Sequence, residues 1–298
     1  MKKWSVKKIV IVSIVSTIGL AVVGVGTFML VNILSRPTKT YENIDEDSEV
    51  IRQRNTYETY LTTSIDDYAS FSTLQKIDIS LYKLRVIDNY YASTSGKVTI
   101  PNVPFLGTLT QDVASMVIKE GDRYFLEDIS FSPVVKASNR YYQEGPKITY
   151  YNGTYKDMTG GTYSESNKTD FSLKDFYENW GRTLDNPTLY VINENSISNE
   201  VVTTSEGDYH ISLEMDTTIS VSNYVKWMKK TGGLGDYPVF KQVKLDFVID
   251  SSLNLKSLKI DEVYDSYRGF AVSDLHGEMT VTFTNEHKNI PSLDEKAF

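Results

Sequence analysis

The hydrophobic pattern of this chain changes rhythm three times. Residues 9–34 carry no charged side chain, and Lys2, Lys3, Lys7 and Lys8 stand before them. Roughly 20 apolar residues suffice to cross a bilayer core as a helix, so the run predicts a single-pass transmembrane anchor. The preceding lysines place residues 1–8 in the cytoplasm and everything beyond the run outside the membrane. A cleaved secretory signal fits less well, because its apolar region spans only about 7–15 residues and ends in a small-x-small site. Here Gly24-Val25-Gly26 lies inside the run. Residues 35–49, polar, acidic and interrupted by Pro37, read as a linker.

A three- and four-residue rhythm follows. Val50, Tyr57, Leu61, Ile65 and Tyr68 share one helical face, with Asp47 or Ser48 as cap. Leu74, Ile77, Leu81, Leu84 and Tyr91 form a second stripe capped by Ser72 or Thr73, with Asp88 at the missing position. From Gly96 the period becomes two. Val98 and Ile100 begin a strand expected to stop at Pro101 and Pro104. Val113 to Ile118 continues the series, and Gly121-Asp122 turns it into Tyr124-Phe125-Leu126. Asn152-Gly153, between Lys147–Tyr151 and Thr154–Lys156, predicts a type I′ hairpin. Residues 158–168 read as a polar loop, and residues 158–170 are the candidate internal boundary of the 50–298 extracytoplasmic part.

A short helix ending at Trp180-Gly181 comes next, then strands near Leu189–Ile192, Val201–Thr204 and Tyr209–Met215. A further helix carries Tyr224, Val225 and Met228, with Ser222 as its expected cap. Val243, Leu245, Phe247 and Ile249, then Leu258, Ile260 and Tyr264, then Met279, Val281 and Phe283 make the most regular strands. Connections this short favour antiparallel pairing. The fold class read from the chain is α+β, with helices preceding a large curved antiparallel sheet.

Composition narrows the partners. All 39 acidic residues lie beyond Arg36, so the outer part is more acidic than the whole chain's net charge of −8. Such a surface repels nucleic acid and anionic lipid headgroups, so neither is expected as a direct partner. With no cysteine there are no disulfides, no thiolate catalysis and no lipid-modified anchor residue. No Walker loop, G-x-G-x-x-G or G-x-S-x-G is present, so no cofactor is implied. His210, His276 and His287 form no local metal motif.

Ser80-Leu-Tyr-Lys83 matches S-x-x-K and Lys230-Thr231-Gly232 matches K-T-G, two features of penicillin-recognising serine enzymes. The only S-x-N, Ser252-Leu-Asn254, follows rather than precedes the K-T-G. Lys230 to Gly232 also suits a helix C-terminus, where basic residues and glycine belong. The expectation is therefore a non-enzymatic domain, with serine acyl transfer as the weaker alternative.

The order of anchor, helices and antiparallel strands, with Ile249 to Asp261 and a terminal strand Met279–Thr284, resembles the extracytoplasmic lipid carriers typified by LolA, LppX and LprG. In style the chain is also similar to membrane-anchored proteins of Gram-positive, Firmicutes-type bacteria. The carrier resemblance implies a curved sheet around an apolar cavity and an apolar small molecule or lipid as ligand. It brings no diagnostic motif, so no family residue carries over. Candidate lining residues are Val225, Met228, Phe247, Ile260, Met279 and Val281, each equally suited to plain core. A second reading is recognition of a cell-wall glycan or a membrane-protein partner through Tyr150, Tyr151 and Tyr155 on the hairpin. Tyrosine also suits strand packing without any ligand.

Overall fold

A computed structural model describes Tyr41 and residues 46–103, 106–133, 136–154, 164–267 and 271–293. The expected anchor, the tail before it and most of the linker fall outside these residues, as does Tyr155. Among the described residues no helix is long and apolar enough to cross a membrane.

The chain is α+β. Its strands are β1 (Asn89–Val103), β2 (Gly107–Glu120), β3 (Arg123–Phe131), β4 (Lys136–Glu144), β5 (Lys147–Thr154) and β6 (Ser164–Ser172), followed by β7 (Ile197–Ser205), β8 (Asp208–Met215), β9 (Val239–Ile249), β10 (Leu255–Tyr267) and β11 (Ala271–Thr284). They form one curved antiparallel sheet in the order β6-β5-β4-β3-β2-β1-β11-β10-β9-β8-β7. Two runs of neighbouring strands thus meet at the β1–β11 seam. At that seam Gly96 faces Met279. A Cβ on Gly96 would overlap the Glu278 carbonyl oxygen and stand 2.7 Å from the Met279 Cα, so only glycine permits this approach.

Four α-helices accompany the sheet among the described residues: α1 (Glu46–Thr62), α2 (Thr73–Val86), α3 (Leu173–Trp180) and α4 (Tyr224–Thr231). Ser72 caps α2 in a capping box, accepting from the Gln75 amide while the Gln75 side chain accepts from the Ser72 amide. Ile77, Leu81 and Leu84 are the buried face of α2, which packs on β9 and β10. α3 lies on β5 and β6 and touches α4. Phe176, Trp180, Trp227 and Tyr141 join there in one aromatic cluster with centroid separations of 5.0–6.4 Å. On the convex face, Met116, Ile118 and Phe125 form a second small core, against which Ile290 of the C-terminal segment packs.

Several sequence expectations change at this level. Asn152-Gly153 is no turn: both residues pair within β5, opposite β4 and β6, with a register shift between them. The β4–β5 reversal instead falls at Gly145-Pro146, where Gly145 takes a left-handed φ of 55°. Residues 144–147 make that turn earlier in the chain, and β6 then captures the Asn-Gly pair as a bulged strand. Ser164 to Lys168, expected in a loop, belong to β6. β1 begins at Asn89 and continues through Pro101, so Asp88 and Tyr91 lie beyond the end of α2. α1 ends at Thr62, leaving Leu61 and Ile65 exposed. Its packing face is built from tyrosines instead, with Tyr57 against Tyr60 and Tyr82 and Tyr60 against Tyr68. Leu189 to Ile192 form no strand. They run as an irregular segment whose Val191 amide donates to Ser220, and Tyr190 to Ile192 are buried. The N-cap position of α4 is Asn223, whose side chain makes no capping hydrogen bond, while the Ser222 hydroxyl donates to the Ile219 carbonyl.

Candidate functional site

The strands alternate, so every second residue of β1, β2, β10 and β11 points to the concave face. That face is not filled by its own side chains. A cavity of about 540 Å³ runs along it, within the size range of ligand sites. Ala92, Val98, Val113 and Val117 supply part of the floor from β1 and β2. Leu258, Ile260, Met279, Val281 and Phe283 supply more from β10 and β11. The roof is Trp227, Met228 and Leu234, from α4 and the turn after it, with the segment from Pro187 to Tyr190.

One end of the cavity is closed. There Tyr90, Ala92, Leu126 and Leu258 are buried, and Arg85 pairs with Asp185 at 2.5 Å just outside. At the other end, near the β1–β2 turn, the lining residues Ile100, Leu109 and Gln111 are half-exposed. The cavity therefore opens at this end beside the β1–β2 turn, while Val272 and Leu275 close it next to the β10–β11 turn.

Two carboxyl groups interrupt the apolar wall. Glu262 on β10 is fully buried and accepts hydrogen bonds from the Tyr190 hydroxyl at 2.6 Å and the Tyr224 hydroxyl at 3.2 Å. Desolvation pushes its pKa up to about 7, against the lowering pull of the two tyrosines. Asp128 on β3 borders the cavity and is half-buried. Burial raises it to about 7 as well, partly offset by the Arg182 charge and a hydrogen bond from Trp227. One of its oxygens, Oδ2, has no hydrogen-bond partner. The Arg182 guanidinium sits 4.9 Å from the centre of the Trp227 ring. Tyr190 and Tyr224 are held well above their ordinary value by burial and by Glu262, so both remain hydroxyl donors.

Four of the sequence-chosen residues border the cavity: Met228, Ile260, Met279 and Val281. Val225 and Phe247 lie elsewhere in the buried core, each 1% exposed. Tyr150 and Tyr151 occupy opposite faces of β5. Tyr150 stacks on Tyr141 at 5.0 Å and donates to Asn139, whereas Tyr151 meets Tyr142 edge-on at 5.7 Å on the convex side. They do not share one surface. Sequence reading passed over Glu262 and Asp128, although a signal existed. Each acid takes an inward place in an otherwise inward-facing series: Ile260, Glu262, Tyr264 and Leu126, Asp128, Ser130.

The serine motif does not assemble. Ser80 is buried and its hydroxyl donates to the Ile77 carbonyl, while Lys83 donates to Ser252 and Tyr60. Lys230 to Gly232 close α4, as their residue types favour. On the outer face, Asp261, His276 and Glu278 bring ligand atoms within 4.8 Å of one another. His276 Nε2 is already engaged with Asp261 at 3.1 Å. Sequence spacing could not reveal this group, because pairing of β10 with β11 creates it.

Fold and site together define an α+β protein whose antiparallel sheet encloses a largely apolar cavity with an open end. No protein-family model matches the chain, and no curated protein matches it. Among solved structures it is similar to a DUF1329 family protein from Desulfovibrio piger, at 8% identity and a TM-score of 0.27. The match covers 81% of this chain and 95% of that one. At that distance the likeness carries no argument about this chain.

Proposed function

We propose that this chain is a single-pass, membrane-anchored extracytoplasmic binding domain that holds a lipid or other apolar ligand against its concave sheet, without catalysing a reaction. One observation supports the reading above the rest: the inward face of the sheet leaves an apolar cavity of about 540 Å³ where a folded core would normally pack tight. Apolar walls favour an apolar occupant, because burying its surface is worth about 25 cal/mol per Å². The charge-free run at 9–34 supports the tether.

Native mass spectrometry of the full chain, extracted in mild detergent, tests the proposal. A bound lipid mass is expected on the native chain. Val117→Trp, which fills the cavity floor, should lose it, and after delipidation the variant and the native chain should share one thermal unfolding midpoint. After delipidation, a dansyl-labelled fatty acid should bind the native chain and not the variant. A ligand-free native chain that also ignores the probe would overturn the reading.

A further inference from the structure

Resting on the anchored, lipid-binding reading, we propose that the open end of the cavity faces the bilayer, with Leu106, Leu234 and Tyr237 forming a rim that settles on the lipid surface.

The path of the chain is the first argument. Tyr41 is pinned at the open end: its hydroxyl donates to the Pro238 carbonyl at 2.6 Å, and its ring meets Tyr237 edge-on at 6.5 Å. Pro238 leads directly into β9, whose first residues pair with the end of β10 near the β10–β11 turn. Only residues 35–40 separate Tyr41 from the apolar run. Even fully extended they span at most about 20 Å, so this end cannot lie far from the membrane.

The second argument is the chemistry of the two ends. At the open end Leu106 is 54% exposed on the β1–β2 turn and Tyr237 is 38% exposed. Leu234 borders both the cavity and the surface. Lys229 places its ammonium 4.8 Å from the centre of the Tyr237 ring, and Lys230 is exposed beside it. Tyrosine and lysine beside an exposed and a half-buried leucine suit a headgroup region, where apolar groups sink and ammonium groups meet phosphate. The turns of the opposite end present exposed charges of both signs and no exposed leucine: Asp122 and Arg123, Glu144 and Lys147, and Glu206.

Fluorescence quenching tests the orientation directly. The chain has no cysteine, so single labels are unambiguous. The full chain would be placed in nanodiscs of phosphatidylcholine and phosphatidylglycerol containing a headgroup spin-labelled lipid. An environment-sensitive fluorophore would sit at Leu106→Cys or Tyr237→Cys, and in separate samples at Asp122→Cys or Glu206→Cys. Quenching several-fold stronger at the first pair is expected. Equal quenching, or stronger quenching at the second pair, would overturn the proposal. Matching thermal unfolding midpoints confirm that each labelled chain is folded, and two sites per end guard against one that is not. Native mass spectrometry on the same samples separates the two readings: bound lipid with far-end quenching sinks only the orientation, whereas rim quenching on a ligand-free chain sinks only the cavity occupant.

Discussion

Glu262 on β10 lies directly across from Gly277 on β11, and the missing Gly277 side chain is what gives the Glu262 carboxyl its place. A Cβ on Gly277 would stand 3.0 Å from Glu262 Cγ and 3.1 Å from Oε1. The carboxyl fills the space a side chain would take and turns toward Tyr190 and Tyr224. Gly277→Val should therefore push Glu262 off both hydroxyls, at a cost of about 1–3 kcal/mol for overpacking. A lowered unfolding midpoint in denaturant, with m unchanged, is the expected result. An unaltered midpoint would mean that the carboxyl has another place to go.

The same carboxyl makes stability depend on pH in an unusual direction. Glu262 and Asp128 are both raised to about 7 from ordinary values of 4.5 and 3.8. The folded state thus holds these protons more tightly than the unfolded state. That contribution is complete below the unfolded values and disappears as pH rises through about 7. At about 1.4 kcal/mol per unit, each group contributes on the order of 3–5 kcal/mol across the window. The unfolding midpoint should fall between pH 5 and pH 8, and Glu262→Gln should flatten the slope, since its amide still meets both tyrosine hydroxyls. A Glu262→Gln profile parallel to that of the native chain would contradict this assignment.

Much of the fold was legible because burial alternates so regularly. Val243, Leu245, Phe247 and Ile249 are all buried on β9, and Leu258, Ile260 and Tyr264 answer them on β10. The Ser72 cap of α2 and Gly181 after α3 were equally readable, because capping is local chemistry. What misled was chemistry that two elements satisfy at once. Asn152-Gly153 has the residues of a turn, yet β4 and β6 flank it and hold it as strand. Leu189 to Ile192 has the residues of a strand, yet the turn at Ser220 takes its amide. The cavity itself was invisible in composition: Met279 inside it and Phe247 packed beside it follow the same alternation. Only the distance between sheet and helices separates lining from core.

On the convex face Arg140 and Glu127, both 0% exposed, are paired at 3.0 Å. Ser138 donates to the same carboxylate, and Arg140 also donates to the Leu293 carbonyl of the C-terminal segment. Removing one charge strands the other in a low-dielectric place, which costs about 3–5 kcal/mol. Glu127→Ala should therefore destabilise strongly. The double change Glu127→Ala with Arg140→Met should recover much of the loss, because no unpaired charge remains. Denaturant titration of the two single variants and the double variant gives the coupling; additive losses would show that the pair is not what holds this face.

The β1–β11 seam offers the sharpest mutational test of the architecture, since it alone joins the two strand runs into one sheet. Gly96→Ala places a methyl group against Glu278 and Met279 backbone atoms, neither of which can swing aside as a side-chain tip would. The strands must separate locally, breaking hydrogen bonds worth roughly 1 kcal/mol each, so several kcal/mol should be lost. At Gly145 a Cβ meets nothing within 4 Å, and the cost there is the left-handed backbone alone. Gly145→Ala should thus cost only about 1–2 kcal/mol. Hydrogen exchange would locate the difference: amides of β1 and β11 around Thr94 to Val98 and Gly277 to Val281 should lose protection in Gly96→Ala and keep it in Gly145→Ala. If the two variants exchange alike at the seam, the close approach of β1 and β11 is not what Gly96 serves.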